Sequence, residues 1–205
     1  MMKLNSSSLS VKPLDNKKNR YLYTDESLIS RFQSGDENAY VELVNRYKDK
    51  LTNFVFYFLN DEEHADDIVQ ETFIRLYEKK HYYKQIAKFS TWIYTIAGNL
   101  AKTELRKNKR RKVTNLSEMG KDDWQYDIPS DEDTAKKVHG QFIGEQIQKA
   151  IQSLPDHFRE VIILRDIQEL SYEEVSSIVE VPLGTVKSRI NRARLQLQEM
   201  LKELR

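Results

Sequence analysis

Residues 171–201 read SYEEVSSIVEVPLGTVKSRINRARLQLQEML, and the spacing of their apolar side chains decides the fold. Ser171-Tyr-Glu-Glu174 has the form of a capping box, a hydroxyl followed three residues later by a carboxylate, and opens a short helix to about Val179. After Val181-Pro-Leu-Gly184, Thr185 is placed to cap a longer helix with Val186, Ile190, Ala193, Leu197 and Leu201 inward. Successive helical residues step by about 100°, so Lys187, Ser188, Asn191, Arg192 and Arg194 fall largely on the opposite face. A short helix, a tight turn and a longer helix cationic near its start is the helix-turn-helix plan. The residue types suit duplex DNA. Arg and Lys match guanine edges and phosphates, Asn matches adenine and Ser either. Thr185 offers its hydroxyl and backbone N–H to a phosphate. A solvated surface face explains such a helix alone equally well; the capped helix and turn before it favour DNA.

Upstream, helical spacing continues. Ile143, Ile147, Ala150, Ile151 and Leu154 give one helix, and Pro155 fits the first turn of the next, which carries Phe158, Val161, Ile162 and Leu164. From Ser117 to Asp133 the acids Glu118, Asp122, Asp123, Asp127, Asp131, Glu132 and Asp133 face only Lys121 as a base, around Gly120 and Pro129. This reads as an extended acidic linker. Before it, a helix spans Asp25 to Gln33, and Ser34-Gly-Asp-Glu37 has capping-box spacing for the next, with Tyr40, Leu43, Val44, Tyr47, Leu51, Phe54, Val55 and Phe58 in one stripe. A third helix from about Glu62 to Lys80 buries Ala65, Ile68, Val69, Phe73 and Leu76. A fourth from near Ser90 buries Trp92, Ile93, Ile96, Ala97, Leu100 and Leu105. No stretch alternates as a strand does, so the chain reads as all-α: two small helical domains joined by an acidic flexible linker, the second containing a helix-turn-helix. The expected boundaries are a disordered basic tail at 1–23, a first domain at 24–112, the linker at 113–133 and a second domain at 134–205.

Composition narrows the chemistry. The chain has no cysteine, which excludes disulfides, thiolate metal sites and cysteine nucleophiles. His64, His81, His139 and His157 lie on different elements with no i, i+4 pair, and no glycine loop cradles phosphate, so neither a metal site, a cofactor nor an enzyme is expected. No apolar run approaches the ~18 residues that span a bilayer, and residues 1–20 lack a signal peptide's apolar core, so a cytoplasmic protein without membrane insertion is expected.

The net charge is only +1, but it is strongly segregated. Lys102, Arg106, Lys107, Lys109, Arg110, Arg111 and Lys112 crowd the end of the first domain with Glu104 the single acid. Such a stripe attracts phosphate by counterion release. Just upstream stand His81, Tyr82, Tyr83, Phe89, Trp92 and Tyr94, and aromatic faces beside a cationic groove are what single-stranded bases stack on. Any one of them alone fits a core role, Trp92 and Phe89 above all. Asp61 to Glu78 is the reverse, an acidic helix with Arg75 its one base, which repels DNA and faces solvent or a basic protein.

DDIVQETFIRLY (66–77), FSTWIYTIAGNLAKTELRKNKRR (89–111) and the stretch from Leu154 to Leu201 resemble, in order and separation, the region-2 and region-4 domains of extracytoplasmic-function (ECF) sigma factors of bacterial RNA polymerase. The resemblance covers about Thr24 to Leu201 and implies a factor that binds core polymerase and directs promoter-specific initiation. It places Asp66, Asp67, Gln70, Glu71, Phe73 and Leu76 on the helix that docks on the clamp helices of the largest polymerase subunit. It places Tyr82, Trp92, Asn99, Lys102 and Arg106 where the −10 element is opened and its non-template strand held. It makes Thr185, Lys187, Ser188, Asn191, Arg192 and Arg194 the −35 readers, and the surface around Phe158 and Ile162 a seat for the polymerase flap. An anti-sigma factor is an implied partner beside promoter DNA and polymerase.

Three residues depart from the family pattern. Ser176 replaces an alanine. Glu180 replaces a glycine, at about 1 kcal/mol if its backbone is left-handed. Gly98 interrupts the −10 helix at a similar cost. Independently of the resemblance, a 113–133 linker reaches at most ~70 Å at ~3.3 Å per residue, about two turns of duplex, so two tethered modules can read a split site. The main rival is a helix-turn-helix regulator with a protein-binding helical domain, which needs no polymerase; a protein-binding adaptor is a second.

Overall fold

The computed structural model of the protein describes residues 23–118 and 135–202, with side chains for 23–111 and 143–202. The basic tail and most of the acidic linker lie outside them. Helix α1 (Asp25–Gln33) begins where Thr24 Oγ1 accepts from the Ser27 N–H at 3.2 Å. Ser34 does not cap the next helix as its spacing suggests. Its N–H bonds back to the carbonyls of Ser30 and Arg31 and its hydroxyl donates to Ser30 O, so it closes α1. Gly35 then takes φ +100°, a left-handed step that suits glycine, and Asp36 caps α2 (Glu37–Leu59) by accepting from Asn38 N–H at 3.1 Å. Asp61 caps α3 (Glu62–Lys79), accepting from the His64 N–H at 3.0 Å and pairing with its ring Nδ1 at 2.9 Å. A 3-10 turn (Lys80–Tyr82) leads into a loop and then α4 (Phe89–Glu118), which continues into the stretch the sequence reading gave to the linker.

The second unit runs through α5 (Ala135–Ser153), α6 (Asp156–Ile162), a π-helical turn (Ile163–Ile167), α7 (Tyr172–Val179) and α8 (Leu183–Met200). The capping box of α7 forms as read: the Glu174 N–H donates to Ser171 Oγ at 3.1 Å, and the Ser171 N–H donates to Glu174 Oε2 at 3.0 Å. Pro155 stands one residue earlier than expected, as the N-cap of α6. Helix α8 also starts earlier, at Leu183 behind Pro182; Thr185 is inside its first turn, with its N–H bonded to Pro182 O at 2.8 Å. Thr185 is therefore not the cap, and its backbone N–H is not available to a phosphate. No strand occurs among the described residues, and the two helical domains are those the periodicity indicated.

In the first unit, the buried stripe of α2 (Leu43, Tyr47, Leu51, Phe54, Phe58) packs between Phe32 of α1, Leu76 of α3 and Phe89, Ile93 and Tyr94 of α4. In the second, Val161 and Ile162 pack with Val175 and Ile178 of α7 and with Val186, Ile190 and Ala193 of α8. The two sets form one continuous apolar cluster, because α4 lies against α7 and α2 against α5 and the π turn.

Arg159 sits at that junction, buried to 7 % exposure. Its guanidinium donates to Ile151 O (3.2 Å), Gln152 O and Leu154 O (3.0 Å) at the end of α5, and to Phe58 O (3.1 Å) at the end of α2. The last carbonyls of a helix lack intrahelical donors and carry the negative end of its dipole, so one cation satisfies two helix ends at once. Burial pulls the Arg159 pKa down, opposed by nearby Asp156. Gln152 Nε2 adds a bond to Tyr57 O at 2.7 Å beside it.

Glu180, the C-cap of α7, takes φ 55° and ψ 42°, the left-handed conformation anticipated for it. Ser176, the other departure in this turn, donates its hydroxyl to Val181 O at 2.6 Å and ties the turn to α7, which an alanine there could not do. Glu180→Gly relieves the left-handed strain and is expected to stabilise the chain by about 0.5–1 kcal/mol, read as a higher urea midpoint at unchanged slope.

Candidate nucleic-acid interface

The loop between α3 and α4 is held by α1 and by a bond of its own. Gln33 Nε2 of α1 donates to Lys80 O (2.7 Å) and Tyr83 O (3.0 Å), Tyr83 Oη donates to Ala87 O (2.8 Å), and Glu26 Oε1 accepts from the Phe89 N–H (3.1 Å). Phe89 is fully buried, with Tyr83 and Trp92 packed around it at centroid distances of 5.9 and 6.2 Å. This aromatic base leaves Tyr82 77 % and Ile86 89 % exposed. Beside them opens a cleft of about 370 Å³ lined by Arg75, Lys79, Tyr82, Trp92, Thr95, Ile96 and Asn99. Three of the five expected −10 residues thus share one concavity, and Arg106 is exposed farther along α4. Trp92 is only half buried, so it serves both core and cleft. Sequence reading missed Arg75 and Lys79, which come from the otherwise acidic α3, and the exposed Ile86. Only folding places the end of α3 across from α4.

Lys102 is placed differently. Its ammonium lies 3.2 Å from Glu160 of α6, on a face of α4 that the second unit covers. Glu160 is itself buried, and burial pushes its carboxyl pKa up, opposed by Lys102 and Arg189 and reinforced by Asp156. Gly98, one turn before Lys102, lies under the same carboxylate: an added Cβ would stand 3.6 Å from Glu160 Oε1 and 3.8 Å from Phe54, ordinary contact, so alanine fits there.

On α8, Lys187, Ser188, Asn191 and Arg192 are exposed on one face while Val186, Ile190 and Ala193 are buried beneath, as the step angle requires. Arg194 is exposed as well but not free. Its guanidinium makes a bidentate pair with Asp166 (Nε–Oδ2 2.9 Å, Nη2–Oδ1 2.6 Å), which raises its pKa further. Arg194 therefore braces the helix-turn-helix against the π turn.

On α3, Asp66, Asp67 and Gln70 are exposed and Glu71 pairs with Arg75 at 2.7 Å. Leu76 is fully buried and Phe73 nearly so, because both point to α2; Leu76 therefore belongs to the core and not to a docking face. Phe73 still edges a second cleft, of about 450 Å³, with Tyr40, Val41, Val44, Val69 and Ile74. Val41 and Ile74 are half exposed, an apolar strip beside the acidic face that sequence reading did not find. Phe158 and Ile162, expected as a flap seat, are buried here. Among the described residues no cluster of potential metal ligands occurs, and no helix is long and apolar enough to cross a membrane.

The first unit thus pairs an acidic helix with an aromatic, cationic cleft, and the second ends in a helix-turn-helix. Both units match known families. Residues 43–111 match Sigma-70 region 2 and residues 144–197 match Sigma-70 region 4. The chain is 36% identical over 182 residues to the ECF RNA polymerase sigma factor SigW of Bacillus subtilis, covering 86% of this chain and 96% of that one. It is 33% identical over 188 residues to the RNA polymerase sigma-H factor of Pseudomonas aeruginosa, covering 88% and 95%. Among solved structures, the sigma factor RpoE in complex with the anti-sigma factor NepR from Bartonella quintana superposes with a TM-score of 0.61 at 25% identity, covering 78% of this chain and 95% of that one. The chain belongs to the ECF sigma factors, the promoter-directing factors of transcription initiation.

The raised Glu160 pKa gives a pH signature. Its stabilising contribution is full below the ordinary carboxylate range and is lost as pH rises through the higher folded value. Glu160→Gln is therefore expected to gain stability relative to the natural chain as pH rises from about 4 to about 8, measured by urea unfolding across that range.

Proposed function

We propose that the chain docks on core RNA polymerase through the outer face of α3, Asp66, Asp67 and Gln70, together with the apolar strip of Val41, Phe73 and Ile74. Carboxylates steer a basic partner helix and the strip supplies the buried contact. The cleft beside α4 holds unpaired bases of the −10 non-template strand: Tyr82 and Trp92 provide stacking faces, Asn99 an amide for a base edge, and Arg75, Lys79 and Arg106 the charge for the backbone. The α8 face reads the −35 major groove through Lys187, Ser188, Asn191 and Arg192. Thr185 and Arg194 act in that reading as supports, within the first turn and through Asp166. The single observation that carries the proposal is the open aromatic and cationic cleft, which a regulator of intact duplex does not need. The chain acts in the cytoplasm, without catalysis of its own. An anti-sigma factor partner is supported by the Bartonella relative, whose structure was solved with one.

Charge reversal of Asp66 and Asp67 to Lys is expected to weaken core binding at least about tenfold with helicity unchanged by circular dichroism, since like charges at a docking face cost several kcal/mol. Arg192→Ala is expected to relax preference at particular −35 positions by about 1–3 kcal/mol, scored by transcription from a −35 library; an equal loss on every sequence marks a phosphate contact instead. Tyr82→Ala or Asn99→Ala is expected to spare core binding and −35 recognition while abolishing permanganate reactivity over the −10 element. On a template mismatched there, initiation partly returns for a variant defective in opening. Full reactivity on duplex promoter with either variant removes the cleft from strand separation.

A further inference from the structure

Two residues of α1 reach the loop that carries Tyr82 and Ile86, and neither of them lines the cleft. Gln33, the last residue of α1, places one amide nitrogen between two backbone carbonyls, Lys80 O at 2.7 Å and Tyr83 O at 3.0 Å. That nitrogen carries two hydrogens, so both bonds form at once and pin the backbone on either side of Tyr82. Lys80 is drawn the same way: its ammonium lies 4.1 Å from the Phe32 ring centroid and 5.3 Å from that of Tyr77. At the far end of the loop, Glu26 accepts from the Gln85 side-chain amide on its backbone carbonyl (3.4 Å) and from the Phe89 N–H on Oε1 (3.1 Å). Helix α1 is itself anchored. Leu28, Ile29 and Phe32 are buried, and Asp25 accepts from Arg46 (2.8 Å) and from the Tyr47 hydroxyl (2.6 Å) on α2. The loop therefore hangs on a fixed support at both ends, while its exposed side chains stand beside the cleft.

We infer that Gln33 and Glu26 are positioning residues for −10 recognition: by holding the loop backbone they fix where Tyr82 and Ile86 meet an unpaired base, and so set which base the cleft accepts without touching DNA. This rests on the assignment of the cleft to the −10 strand. Discrimination between bases needs a wall that does not move, because a wall that follows its ligand fits the wrong base as well as the right one. Side chains on a loop are placed less firmly than those on a helix, unless bonds to a rigid element hold the backbone. Trp92 and Asn99 take their place from α4. Tyr82 has only a three-residue 3-10 turn of its own, so its position depends on the Gln33 amide. If Gln33 only satisfied two carbonyls, removing its bonds would cost the same on every promoter. The positioning role gives instead a loss that depends on the base offered.

The test uses the full chain with core polymerase and a library of promoters varied at each −10 position. Gln33→Met keeps the length of the side chain and removes both donors. It is expected to lower the ratio of transcripts from the preferred −10 base to those from the other bases by at least about fivefold, the effect of losing about one net hydrogen bond. The −35 ranking and core affinity are expected to stay unchanged. Glu26 supplies an independent arm, which decides if Gln33→Met fails to bind core. Glu26→Gln keeps an acceptor for the Phe89 N–H and is expected to retain the ratio, whereas Glu26→Ala is expected to lower it. In a chain already carrying Tyr82→Ala and Ile86→Ala, Gln33→Met is expected to add no further loss, because the side chains it positions are gone. Equal loss at every −10 base, or an unchanged ratio with both Gln33→Met and Glu26→Ala, overturns the inference. Tyr82→Ala alone separates this failure from failure of the proposed function. If it too leaves −10 preference intact, the cleft does not hold the −10 strand; if it removes the preference while the α1 variants keep it, only the positioning role is lost.

Discussion

The guanidinium of Arg159 is the fixed point from which the rest of the arrangement is hung. A buried cation is costly unless every donor finds an acceptor, and here the acceptors are the terminal carbonyls of α5 and α2. Because one of these helices belongs to each unit, the residue that completes the second unit also ties it to the first. Lysine is no substitute, since a single ammonium cannot span two helix ends in a planar fork. The neighbouring Glu160 is fixed in consequence, and with it the position of Lys102 and the close approach of α6 over Gly98.

Charge segregation along the chain has a structural counterpart in how α4 is shared. The helix is too rich in cations to be a simple core element and too aromatic at its start to be a simple solvated one. Folding resolves this by giving its faces to different neighbours: Phe89, Ile93, Ala97 and Ala101 to the core, Trp92 and Asn99 to the cleft, and Tyr94 and Lys102 to the second unit. The average charge of the chain conceals this, and only the spacing of residues around one helix makes it visible.

Much of the fold was legible because its determinants are local. The bounds of α1, the capping box at Ser171 and the inward set of α8 follow from periodicity and from hydroxyl and carboxylate spacing. Errors arose where two local solutions compete. Ser34 satisfies α1 and leaves Asp36 to begin α2; Pro182 starts α8 before Thr185 can. The site was legible by residue type but not by pairing. Trp92 was legible as an aromatic beside the cationic stripe and Asn99 through the family resemblance, whereas Arg75 and Lys79 on the same cleft sit in an acidic sequence context. Nothing local reveals that Lys102 meets Glu160, that Arg194 meets Asp166, or that Leu76 faces inward, because those facts depend on which elements pack together.

The π-helical turn at Ile163–Ile167 sets the phase of everything that follows it. A π turn accommodates one residue more than an α turn in the same length, so it has the character of an insertion absorbed within a helix. One residue corresponds to a rotation of about 100° about the helix axis. Because Val161 and Ile162 ahead of the turn share one core with Val175, Ile178 and Val186 beyond it, a residue lost or gained here would turn those faces out of register, so the length of this turn is what keeps the reader aimed.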